Sequence, residues 1–224
     1  MQVSRPDVQA LLVVTLVTTF VIDTLEYWSY SYFQDALGVT GGARTWGVVG
    51  TRASLCVGFA LSDFIRPVFA LRQWRVVLTC SAGAILGVVL FLSAAAAPAG
   101  AAALGLATTG SILAGVALAP LIPVCVSVAY NLPDATPGVG VAAVLAVSYI
   151  SHMLASSLIG ALAEASGVAG ALLTLLVVVV LVPAAGQLPT ALCLLLDFDA
   201  FQLPTPIGVQ IAGESSNRDS YGWS

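Results

Sequence analysis

Asp23 and Glu26 stand three residues apart in an otherwise apolar stretch, so a helix there carries both carboxylates on one side. A charged acid at bilayer depth costs about 2.5–3.5 kcal/mol, so such residues face a cavity or a partner. Two acids this close favour proton uptake by one of them, through desolvation and the neighbouring like charge. The alternative is that both sit wet at the outer interface, beside Tyr27 and Trp28. Arg52 has three readings: snorkelling outward, pairing with Asp23 or Glu26, or binding an anionic solute. His152 is flanked by Ser148 and Ser156 at helical spacing, with Tyr149 beside it. This is the most polar stripe of the chain, and it reads as a solute or proton site. The plainer reading is a neutral imidazole donating to a serine or a carbonyl. Asp63, Arg66, Arg72 and Arg75 cluster at one end of two apolar runs, where they anchor the chain or latch neighbouring helices.

These residues are exceptions in an apolar chain. Of 224 residues 59% are hydrophobic and 8% charged, with mean hydropathy +1.01. Soluble domains carry about 25% charged residues, so too few polar groups exist here to coat the apolar ones in water. The solvent that fits is lipid, and the bilayer is the first expected partner. Roughly 20 residues per span allow about six spans. They are expected at residues 8–30, 46–65, 76–96, 101–129, 139–163 and 168–184. Residues 187–224 read as a cytoplasmic tail, interfacial at first and disordered beyond. The apolar run at 11–22 lacks the basic flank and the cleavage site of a signal peptide, so it reads as the first span. The fold class expected is therefore all-α, a membrane bundle of about six helices.

Lysine is absent, and the seven arginines form no patch able to neutralise a run of phosphates, which argues against nucleic-acid binding. With six spans, Arg5, Arg66, Arg72, Arg75 and Arg218 fall on one side and Arg44 on the other. The positive-inside rule then puts both termini in the cytoplasm, in a cell or inner membrane. The four cysteines are dispersed and have no metal-ligand spacing, so neither a metal site nor a cofactor is expected.

In lipid, helices associate where small residues let backbones approach. Gly50, Ser54, Gly58 and Ser62 recur at four-residue steps, as do Thr79, Gly83 and Gly87; Gly110, Ser111, Ala114 and Gly115 form a third stripe. They suit contacts within a bundle or a dimer face. Pro120 and Pro123 each remove a backbone donor, so the fourth span is expected to kink.

Four motifs, in order, resemble the C-terminal half of major facilitator superfamily transporters, in particular bacterial sugar-permease-like members. The stretch 148–167, beginning Ser148-Tyr149 and containing Gly160, Glu164 and Gly167, is similar to their eleventh helix. Trp28, Ser29, Tyr32, Asp35, Leu37 and Gly38 resemble the end of the seventh, and Ala119-Pro120 with Pro123 and Ser127 the tenth. Gly58 to Asp63, then Arg66, Arg72 and Arg75, resemble the loop after the eighth, where the family has a gating latch. The chain departs from the pattern at Ala155-Ser156-Ser157, His152 and Ser62.

The resemblance implies a six-helix half of a twelve-helix carrier. Its solute would be small and polar, driven by alternating access, with a proton gradient as the candidate energy source. A second copy or a missing N-terminal half would complete the cavity. The competing expectation is a non-transporting half-carrier or truncated membrane protein. No enzyme is expected: an intramembrane serine protease needs a Gly-x-Ser-Gly nucleophile, which the sequence lacks.

Overall fold

The computed structural model describes residues 6–69, 73–130 and 137–182, with side chains over most of 8–62, 79–130 and 138–174. Every regular element among them is helical. α1 (Pro6–Ser31) ends in a π-turn at Tyr32–Ala36, and a short 3-10 turn at Gly41–Thr45 leads into α2 (Trp46–Phe69). α3 (Gln73–Ser93) follows, then α4 (Ala101–Leu118), α5 (Leu121–Tyr130) and α6 (Pro137–Val182). Four described segments are long and apolar enough to cross a membrane: Leu11–Ala36, Thr79–Ala96, Ala101–Tyr130 and Gly138–Thr174.

The expected boundaries shift in three places. The fourth expected span divides into α4 and α5 around Ala119-Pro120. Pro120 has no N–H to give Val116, and Pro123 none to give Ala119, so the helical ladder lapses where the kink was expected. The fifth and sixth expected spans form one element, α6, broken at Gly167, where φ is 75° and ψ 164°. That left-handed backbone favours glycine and separates arms 137–166 and 168–182. α2 and α3 run past the expected limits at the end where Asp63, Arg66 and Arg75 lie; Arg72 and the tail from 183 lie outside the described residues.

α4 is the spine of one half of the bundle, with α2 and α3 both packed along it. The small-residue stripes make this approach possible. A Cβ on Gly58 would stand 2.6 Å from Ala119 Cβ and 2.8 Å from the Val116 carbonyl oxygen. A Cβ on Gly87 would land on the Ala114 backbone, and one on Gly110 on Phe91 N. Gly58, Gly87 and Gly110 are thus used in close contacts inside the chain. Without a hydrophobic force between helices in lipid, this close backbone contact supplies the attraction.

α1 is the spine of the other half. It lies against α6 in the same direction, Leu16 meeting Ser151 and Trp28 meeting Gly160. Against α2 it runs in the opposite direction, Ser29 meeting Gly47 and Glu26 meeting Arg52. At the π-turn, Tyr32 and Phe33 are fully buried against Phe91. The Tyr32 hydroxyl lies 3.1 Å from both the Phe91 and Leu92 carbonyl oxygens near the end of α3.

Candidate functional site

A 3.6-residue period turns the chain about 100° per residue, so positions 23 and 26 differ by about 60° around α1. That angle decides the site, because α1 has α6 on one flank and α2 on the other. Asp23 faces α6, where its Oδ1 lies 3.3 Å from His152 Nδ1. Glu26 faces α2, where its Oε1 accepts from Arg52 Nε at 2.8 Å and also from Arg52 Nη2. Tyr27, about 40° from Asp23 on the side away from Glu26, places its hydroxyl 3.4 Å from His152 Nε2 and its ring edge-on to the imidazole. Five side chains from three helices therefore form one polar cluster.

The members stand at different levels of their helices. His152 is fourteen residues from Gly138 and fourteen from Ser166, the last residue before the break at Gly167. Asp23 and Glu26 are eight and five residues before Ser31, the end of α1, and Arg52 is six after Trp46, the start of α2. At 1.5 Å per residue His152 is roughly 20 Å from either end of its arm and Arg52 about 9 Å from the start of α2.

Burial differs across the cluster. The Asp23 side chain is 10% exposed and that of Glu26 18%, whereas His152 is 50% and Arg52 62% exposed. Asp23 Oδ2 is buried and has no hydrogen-bond partner. The acids thus lie within the bundle and the bases on its side.

Of the three readings of Arg52, the geometry realises the pair, and with Glu26 rather than Asp23. The serines around His152 do not bond it. Ser148 gives its hydroxyl to the Val144 carbonyl at 3.1 Å and Ser156 to that of Met153 at 3.2 Å, so each is absorbed by its own helix. Tyr149 is 72% exposed on the same helix, and no bond joins it to the cluster. Pro120 is buried and Pro123 half-buried at the break in the fourth span, away from the charges. Asp63, Arg66 and Arg75 fall on helix ends whose side chains lie outside the described residues, as does Arg72 altogether.

Two contributors escaped the sequence reading. Tyr27 looked like one of a run of interfacial aromatics, and only its position on the α6 flank singles it out. Ser151 is fully buried and donates to the Leu16 carbonyl of α1 at 2.9 Å, which fixes α6 one residue before His152. Its neighbours in sequence give no signal for this, because the acceptor is a backbone oxygen. Among the described residues no group of three or more His, Cys, Asp or Glu side chains is placed to hold a metal ion.

No family model, no curated protein and no solved structure matches this chain.

Proposed function

We propose that this chain is a secondary transporter, or half of one, that moves a small polar solute across a membrane by alternating access. The observation that carries the reading is the Asp23–His152–Tyr27–Glu26–Arg52 cluster, assembled from three helices. Ionisable residues are costly within a bilayer, and in membrane proteins they mark solute and ion pathways. Carriers place such sites near the midplane, beside broken helices. The chain also has an interrupted helix at Ala119-Pro120, away from the charges.

On this reading the chain has six spans, with α4 and α5 as one and the two arms of α6 as two. Both termini are cytoplasmic. The solute is sugar-like, as the major facilitator resemblance implies, and a proton gradient is the candidate driving force. The exposed bases, Arg52 and His152, line a cavity that a second copy or an N-terminal half completes.

The test is uptake of a panel of radiolabelled sugars into proteoliposomes, with and without an imposed inward proton gradient. Accumulation above protein-free liposomes supports the proposal, and gradient dependence supports coupling. Background uptake across the panel, with the protein folded and inserted, refutes it. That outcome favours the second reading, a regulatory half-carrier. The exposure of Arg52 and His152 also suits that reading, since another carrier's bundle would cover them.

A further inference from the structure

Formal charges in the cluster do not balance. Glu26 and Arg52 cancel, with both bonded Arg52 nitrogens on one Glu26 oxygen. Asp23 remains, and its neighbour His152 is neutral unless protonated. With Asp23 ionised, the cluster therefore carries one uncompensated negative charge, on a side chain nine-tenths buried with one oxygen unpartnered. We propose that this site takes one proton, seated on His152 Nε2, with Asp23 as its counter-ion and the Tyr27 hydroxyl as the hydrogen-bond partner of Nε2. The inference rests on the cluster being the ion pathway and names what it carries there.

The geometry accommodates both protonation states without movement. In the neutral ring, Nδ1 carries the hydrogen and faces Asp23 Oδ1 at 3.3 Å, and Nε2 accepts from the Tyr27 hydroxyl. In the imidazolium, the charged ring still faces Asp23, while Nε2–H donates to the Tyr27 oxygen after the phenolic hydrogen rotates away. Nothing else is consumed: one proton arrives on the exposed side of the ring, and the Asp23–His152 pair becomes neutral overall. The ring is half exposed and Tyr27 47% exposed, so Nε2 is open on the outer side of the bundle.

A metal cation fits less well. Hard cations want six or more oxygens, and at this site Asp23 Oδ2 is one acceptor left over. An anion is disfavoured because the local excess charge is negative. Charged or titratable neighbours come from several elements. α1 brings Glu26 and Tyr27, and α2 brings Arg52. The π-turn packed on α6 adds Tyr32 and Asp35, toward the end of α1. α6 itself carries Tyr149 and Glu164; the described side chains of α3 and α5 add only Cys80, Cys125 and Tyr130. Asp23 is the one carboxylate in contact with the ring.

His152 is the single histidine of the chain, so selective 15N-histidine labelling gives one imidazole to observe. The full chain in nanodiscs is titrated by NMR in potassium buffer, then at fixed pH against sodium chloride. Expected are a ring with one protonated nitrogen at high pH, both protonated at low pH, and no response to sodium. Asp23→Asn is expected to raise the proton concentration at half-titration about tenfold or more, since an opposite charge this close is worth one or more pH units. Glu26→Gln, which leaves Asp23 in place, is expected to move it less. A ring that stays neutral down to the pH of unfolding overturns the proposal in the wild-type chain alone. So does a midpoint unchanged by Asp23→Asn, or displacement of the proton by sodium. Absence of sugar uptake with a normal titration would sink the transport reading and leave the proton site standing. Uptake with a silent histidine would do the reverse.

Discussion

Arg52 of α2 is bonded to Glu26 and not to Asp23, although the two acids share one turn of α1. The α1–α2 hairpin sets this. Its turn brings Gly47 to the level of Ser29, so the antiparallel register sets Arg52 opposite Glu26.

That pairing predicts a charge-exchange result. Glu26→Arg or Arg52→Glu alone places two like charges side by side between α1 and α2, and each is expected to abolish uptake and lower the yield of folded protein. The double exchange restores opposite signs, and recovery of at least part of both is expected. Proteoliposome uptake and detergent melting curves on the three variants check this. A double variant no better than its parents would mean the pair is not an interacting unit.

Asp23 is expected to be less tolerant. Asp23→Asn keeps the size but removes the charge facing His152, and gradient-driven accumulation is expected to vanish while the fold survives. Asp23→Glu keeps the charge and is expected to retain partial accumulation. Comparing accumulation with gradient-independent exchange in the same vesicles separates lost coupling from lost solute binding.

Gly110 lies where α3 and α4 touch backbone to backbone. Gly110→Val puts methyl groups where Phe91 N and the Gly87 carbonyl stand, and destabilisation of about 1–3 kcal/mol or more is expected. Gly105, with open space around it, serves as the control: Gly105→Ala is expected to be neutral or stabilising. Unfolding in mixed micelles reads both.

Tyr32→Phe deletes a buried hydroxyl bonded to the end of α3 and leaves its ring against Phe91, 4.6 Å between centroids. A loss of about 1 kcal/mol is expected, in line with side-chain hydrogen bonds inside membrane proteins. Tyr32→Ala also removes the ring and is expected to cost about 3–5 kcal/mol. The same unfolding assay orders the two.

Much of this was legible in the residues. A chain 59% hydrophobic and 8% charged has few solvents open to it, so helices for lipid follow from composition. In such a background each ionisable residue stands out, and Asp23, Glu26, Arg52 and His152 could be named before any neighbour was known. The small-residue stripes and the prolines were equally plain, because close approach and a missing N–H are properties of the residue itself. The division of the last 46-residue helix at Gly167 was also written locally, in a glycine that can take a positive φ.

Tertiary structure decided the partners. Two acids one turn apart are nearly equivalent in sequence; about 60° of rotation sends one to α6 and the other to α2. Ser148 and Ser156 seemed to belong to His152 by spacing, yet each spends its hydroxyl on its own helix. Tyr27 gained its place at the ring from the way α1 lies against α6. Periodicity fixes which side of a helix a residue occupies, but only packing fixes which neighbour stands there, because that depends on where backbones come close enough to touch.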